Sequence, residues 1–296
     1  MPRIELGAIV ESFITWLLRA FPGLFDAVSA VLTVLVDALT ALLTGPSYLL
    51  WIAVFGIVAL LVRGVGLAVF TVLAFLLIAS LNLWPETMES LAVVLVAAVL
   101  ATAIGVPLGI WAARRRSASA VLRPVLDFMQ TTPVFVYLIP AVFFFGIGVV
   151  PGVVATTIFS IPPAVRLTEL GIRGVDPEVV EAAHAFGAHP RQILREIQLP
   201  MALPSIMAGI NQVIMLALSM VVVAGLAGAG GLGSVVVSAV TQLDIAAGFE
   251  GGLAVVILAI FLDRVTAALA DRPNRGLWRR LVPARKVAGA RSPSAV

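Results

Sequence analysis

Between Glu89 and Arg114 lie 24 consecutive residues without a charged side chain. A segment of that length suits a hydrocarbon core about 30 Å thick, which takes roughly 17–25 apolar residues per helix. By the same ruler the chain carries seven spans, at 46–62, 65–83, 89–113, 127–149, 152–170, 204–226 and 251–270. In lipid every backbone N–H and C=O must find its partner inside the protein, so these stretches predict helices and an all-α, polytopic membrane protein. Composition agrees where it bears on class: 61% of the 296 residues are hydrophobic and 12% are charged, against roughly 25% charged in soluble domains. With no cysteine and only His184 and His189, a thiolate site is excluded and a histidine-based centre nearly so. A net charge of +3 spread between apolar segments reads as orientation in a membrane, not as a nucleic-acid surface. Glu5 and Glu11 stand ahead of the first apolar stretch, which lacks a small-residue cleavage pattern, so no removable signal peptide is expected.

Pro133, Pro140, Pro162 and Pro163 fall inside two of the spans, where each removes a backbone donor and crowds the preceding turn. Broken or kinked helices are expected there, with neighbouring protein satisfying the freed carbonyls. With seven spans, 17 of the 19 Lys and Arg residues fall on one side and only Arg3 and Arg19 on the other. The positive-inside rule then puts the amino terminus out and the carboxyl terminus, with the loop at 171–203, in the cytoplasm. Residues 23–44 set Asp26, Ser29, Thr33, Asp37, Thr40 and Thr44 at steps of three and four, a helix with one polar stripe. It either lies in the outer interface, the preferred reading, or forms an eighth, channel-lining span that returns the amino terminus to the inside. The chain thus divides into an N-terminal segment with this amphipathic helix (1–45), two accessory spans (46–84), a core of spans (85–270) and a basic tail (271–296). The tail is expected to be flexible and to lie near anionic membrane lipid.

The 171–203 loop is too long to be structureless, since loops beyond about 12–15 residues without secondary structure are uncommon. Within it, EAAHAFGAHPRQILREIQLP (181–200) carries both histidines of the chain. Asp176-Pro177 is a helix opening, with Asp as cap and Pro at the first helical position. Val179, Val180, Ala182, Ala183 and Phe186 supply apolar contacts, and Gly187 stops the helix. Pro190 begins a second helix, with Ile193, Leu194 and Ile197 apolar, that ends at Leu199-Pro200. The result is a short helical hairpin on the cytoplasmic surface, where small Ala182 and Ala183 let a partner approach closely.

Glu181-Ala182-Ala183, three residues, Gly187, nine residues, Ile197, one residue, Leu199-Pro200 resembles the EAA signature of ABC importer permeases. LDFMQTTPVFVYLIPAVFFFGIG (126–148), PPAVRLTELGIRGV (162–175), LPMALPSIMAGINQVIMLALSMVVVAGLAGAGGLG (199–233) and LDIAAGFEGGLAVVILAIFLDR (243–264) are similar to the glycine betaine/proline branch of that family. The resemblance spans roughly residues 85–270; His184 departs from it, standing where many relatives place a basic residue. It implies the MetI-like fold of type I importers, with about seven transmembrane helices, in a bacterial inner membrane. It also implies a permease subunit that is not itself an enzyme, working as a homodimer with two cytoplasmic ATPase subunits and an external substrate-binding protein. ATP and Mg would sit on the ATPase, and this chain would hold no cofactor or metal. Glu181, Ala182, Ala183, Gly187, Ile197, Leu199 and Pro200 would form the coupling helix that docks on the ATPase. Import of choline, carnitine or another small solute is the nearest alternative. An ion-coupled carrier or channel is more distant, because no charged residue sits mid-span.

Other motifs are weaker. GAGGLG (228–233) matches a dinucleotide-binding pattern but follows a membrane span instead of a strand, and no phosphate-cradling G-x-x-x-x-G-K-[ST] occurs in the chain. A tight outer turn, against a second permease or the binding protein, is expected of it. Gln130, Thr131 and Thr132 beside Pro133, and Asn211 and Gln212, either line a translocation path or bridge helices by hydrogen bonds. Asp127, Arg166 and Asp263, at cytoplasmic span ends, are expected to form charge pairs or lipid contacts, with a gating role the lesser alternative. Phe143 to Phe145 read as packing or lipid contact and not as a cage for a quaternary ammonium.

Overall fold

The structure, a computed structural model, describes residues 6–270; the basic tail at 271–296 lies outside them. Every regular element among the described residues is helical. In chain order these are α1 (Leu6–Ala20), α2 (Pro22–Thr44), α3 (Tyr48–Arg63), α4 (Val65–Ser80), α5 (Trp84–Arg114), α6 (Arg116–Thr131), α7 (Phe135–Phe145) and α8 (Val149–Arg173). There follow α9 (Pro177–Ala185), α10 (Pro190–Gln192), a π-helical turn (Ile193–Gln198), α11 (Leu199–Ser219), α12 (Val221–Leu226), α13 (Gly231–Gln242) and α14 (Ile245–Ala270). Helices α2, α5, α8, α14 and the run Pro190–Leu226 are long and apolar enough to cross a membrane, and α6 with α7 makes a sixth candidate bent by 93°. The shorter apolar pair α3 and α4, 16 residues each, pack on one another.

Three helices form the centre. A Cβ on Gly105 would lie 2.5 Å from the Ala164 Cβ, and one on Gly109 would lie 2.6 Å from the Thr168 Cβ. Both registers advance together, so α5 and α8 run parallel, their backbones brought close by a Gly-x-x-x-Gly face. Helix α11 runs the other way along α8, with Gly209 beside Pro163 and Gly171 beside Ala202 and Ser205. Packed on this centre, Phe75, Ile78, Met88, Val213 and Leu258 are essentially inaccessible. Buried small side chains at Ala92, Ala97 and Ala101 let α5 contribute on nearly every side.

The prolines act differently in the two expected sites. At Pro133 the chain breaks between α6 and α7, and the hydroxyls of Thr131 and Thr132 donate to the Phe128 carbonyl at 3.2 and 2.6 Å, capping the broken end. At Pro162 and Pro163, both buried, α8 continues as one helix. Close packing on α11 holds it there.

Helix α2 lies along α5 through its length. Tyr48, just past α2, meets Trp84 at the start of α5 with ring centroids 6.2 Å apart. Ala27 and Leu32 share a groove with Leu100 and Ile104, on the order of 24–30 Å further along α5 at 1.5 Å per residue. Phe25 at its other end stacks on Phe144 at 4.9 Å, which gives part of the aromatic run a packing role, while Phe143 is exposed.

Candidate functional site

The hairpin between α8 and α11 is built by local chemistry. The Asp176 side chain accepts from the Glu178 N–H at 2.9 Å and Pro177 opens α9. At the other end the N–H of Ala188 bonds the Ala183 carbonyl at 3.0 Å and that of Gly187 bonds the His184 carbonyl at 2.9 Å. This is a Schellman ending, and it needs the left-handed φ of +79° that Gly187 adopts. His189 then caps α10: its Nδ1 accepts from the Arg191 N–H, while the Gln192 Oε1 accepts from the His189 N–H at 3.0 Å.

The two arms differ in footing. No residue of α9 is buried, and Phe186 at its end is 92% exposed. The apolar contacts expected of Phe186 within the hairpin are absent. The second arm is anchored: Ile193 is buried, and Leu194 is buried with Ile172, Ala202 and Ile206, with Leu199 packed beside them. Of the signature residues, Glu181, Ala182, Gly187 and Pro200 are exposed, while Ala183, Ile197 and Leu199 are half-buried.

The second arm does not end at Leu199-Pro200 as expected. The π-helical turn hands directly over to α11, giving one apolar helical run from Pro190 to Leu226. Pro200 sits in the first turn of α11, and the widened turn before it relieves the ring's usual clash with the preceding helix. Any force on the hairpin therefore passes into α11 without an intervening loop.

The polar candidates separate. Gln130, Thr131 and Gln212 are exposed and Thr132 and Asn211 half-buried. Helix α6 packs on α5 and α8, while α11 packs on α8, α14 and α5, so the two groups stand on helices that are not neighbours in the core. Asn211 bridges α11 to α14, donating to Asp263 at 3.2 Å and accepting from the Thr266 hydroxyl. Asp127 and Arg166 form an ion pair, as the sequence led one to expect. Asp263 also has Arg264 at 3.8 Å.

A charged cavity of about 320 Å³ lies between α6 and α8 near the hairpin end, unanticipated from sequence. Its inner wall is Glu169, 7% exposed, which accepts from the Ser119 hydroxyl at 2.7 Å and faces Arg173 at 3.2 Å and Arg123 at 3.5 Å. The signal was legible only in retrospect, as Arg123 and Asp127 at i, i+4 opposite Arg166, Glu169 and Arg173 at i, i+3, i+7. Among the described residues no group of three or more His, Cys, Asp or Glu stands as a metal site.

At the far end, the glycine turn is held by the chain's own α5. The Gly231 N–H donates to Glu89 at 2.8 Å and the Leu232 N–H to Ser90 at 2.8 Å. Two side chains of α5 thus cap α13, and Gly225 and Gly233 pack backbone to backbone.

Known proteins resemble this arrangement. The chain is 49% identical over 278 residues to the glycine betaine transport system permease protein OpuAB of Bacillus subtilis, covering 93% of this chain and 98% of that one. It is 46% identical over 274 residues to the glycine betaine/proline betaine transport system permease protein ProW of Escherichia coli, covering 92% and 77%. With the glycine betaine/carnitine transport permease protein GbuB of Listeria monocytogenes it shares 48% over 272 residues, covering 90% and 96%. In solved structures, an inward-facing form of the MetNI methionine ABC transporter superposes with a TM-score of 0.57 at 23% identity, covering 65% of this chain and 96% of that one. This supports the MetI-like fold. Residues 105–275 match the model of the binding-protein-dependent transport system inner membrane components. The match takes in the hairpin, the charged cavity and the glycine turn, and the chain belongs to that family of multi-pass inner-membrane transport subunits.

Proposed function

We propose that this chain is the translocating subunit of an ATP-driven importer for glycine betaine, proline betaine or a related osmoprotectant. Hydrolysis of Mg-bound ATP falls to a separate cytoplasmic ATPase, two copies of which serve two copies of this permease. An external binding protein delivers the solute. The observation that carries the reading is the exposed arm of the hairpin, with Glu181, Ala182 and Phe186 outward, joined through Gly187 to an arm continuous with α11. A projecting surface on a rigid rod converts movement of a docked partner into movement of a membrane helix. Ala182 permits close approach and Glu181 offers a charge at the rim. Ile197 and Leu199, half-buried, brace the joint from behind.

Orientation follows from charge: the hairpin, with the Arg114 to Arg116 turn, faces the cytoplasm. On this reading α2, which follows α5 through its depth, crosses the membrane instead of lying on it, and the segment ahead of it is cytoplasmic. The core at 85–270 is the translocation unit, with 46–84 accessory to it. The substrate class is carried over from the relatives' names, and carnitine, named for one of them, is the solute to test in competition.

The test is ATP-driven uptake of labelled glycine betaine into proteoliposomes holding this chain, its ATPase and its binding protein, compared with Gly187→Asp. A Cβ at Gly187 meets nothing within 4 Å, so the substitution acts through the φ of +79° on the hairpin's shape and leaves the membrane core alone. Uptake in the wild type, lost in a folded variant, is the expected result. ATP hydrolysis stimulated by the binding protein without betaine uptake discards the substrate, and uptake without ATP discards the importer.

A further inference from the structure

We propose that the cavity between α6 and α8 is a low-affinity station for a zwitterionic solute on its way into the cytoplasm. The inference rests on the importer reading and adds a site to it. At about 320 Å³ the cavity lies at the lower end of the roughly 300–1,000 Å³ of small-molecule sites. Its walls carry both signs of charge in fixed places. Glu169 is held in place by Ser119, Arg173 and Arg123. In front of it stands the Asp127–Arg166 pair, whose side chains remain 66% and 40% exposed. Leu126 and Leu170 supply apolar surface between the charges.

An exposed ion pair contributes little on its own, about 0–1 kcal/mol, so it exchanges readily. A zwitterion brings both halves of a replacement: its carboxylate takes the Arg166 guanidinium while its quaternary ammonium takes Asp127. The number of ion pairs is conserved or raised, and no charge is left alone. A solute with only a cation satisfies Asp127 and strands Arg166; one with only an anion does the reverse. Selection for betaines over choline follows from this symmetry without an aromatic cage. The location suits passage, because Arg123, Asp127 and Thr131 recur at i, i+4 and i+8 on α6, a polar line running from the cavity to the break at Pro133. Weak binding is what a station on a path requires, since a tight site would hold the solute.

The test uses the full-length permease in lipid nanodiscs without its partners, with glycine betaine as probe. Saturation-transfer NMR on the trimethylammonium signal is expected to report millimolar binding to the wild type. The signal should fall at least fivefold in Asp127→Asn and in Arg166→Gln, and choline should give a signal at least fivefold weaker than betaine. Melting temperatures within a few degrees of wild type separate this from unfolding. In complete proteoliposomes the same variants should lower the maximal uptake rate while leaving the KM, set by the binding protein, unchanged. Equal signals from wild type and both variants, or from choline and betaine, overturn the station, as does wild-type protein without signal. If the full transporter still imports betaine in that case, the importer reading stands alone. If the permease binds betaine selectively but the assembly imports none, the substrate assignment falls and the zwitterion site remains.

Discussion

Removing the ring of Phe186 should weaken docking of the ATPase while leaving the permease itself as stable as before. In the free chain Phe186 is 92% exposed and no buried residue lies in α9, so Phe186→Ala deletes almost no packing, and its effect on melting should fall within about 0.5 kcal/mol, as for ordinary surface changes. In a docked hairpin the ring leaves water. Burying a phenylalanine side chain is worth about 1.5–3 kcal/mol, and aromatic anchors dominate interfaces of this kind. A loss of about 2 kcal/mol is expected, about a 30-fold rise in Kd for each hairpin. The assay is titration of the detergent-solubilised permease with its ATPase, beside a thermal melt of the permease alone. Phe186→Leu should recover most of the affinity, because the contact is apolar and undirected. A Kd changed less than about threefold at unchanged melting temperature would refute the anchor, and a drop in melting temperature of the isolated chain would show that the ring packs on its own protein.

Other substitutions probe the scaffold. In Gly233→Ala the new Cβ would lie 2.1 Å from the Val221 carbonyl oxygen, backbone that cannot move aside, so little monodisperse protein should survive size-exclusion chromatography after extraction. Glu169→Gln keeps an acceptor for Ser119 but removes the charge facing Arg123 and Arg173; with those arginines 65% and 33% exposed, the expected cost is about 1–2 kcal/mol, read as a lower melting temperature. Asn211→Leu breaks the bridge from α11 to Asp263 and Thr266 and should cost about 1 kcal/mol in the same melt. Unchanged melting with reduced betaine uptake would instead assign Asn211 to the solute path.

Uncharged length was enough to read the helical class, and Asp176, Pro177 and Gly187 were enough to read the hairpin, because caps and turns depend on neighbours within a few residues. The footing of its arms was not readable that way. Phe186 looks as apolar as Leu194, yet the first projects and the second is buried against Ile172 and Ile206. Residue type does not tell which side of a short helix meets the protein. Pro200 misled for a related reason: proline signals a helix end, but a π-helical turn absorbs it and the helix goes on.

What the sequence determined by itself is the set of things that depend on local order: membrane class, most helical segments, and the capped turns of the hairpin between α8 and α11. Tertiary structure alone decided which distant residues meet. It paired Glu169 with Ser119, Arg123 and Arg173 across two helices, turned Glu89 and Ser90 into caps for a helix 142 residues later, and laid α2 against α5. Those partnerships depend on the close approach of α5 and α8 at Gly105 and Gly109 and on the register of α11 against α8. Helix packing is set by the shapes of whole faces, which no short stretch of chain contains.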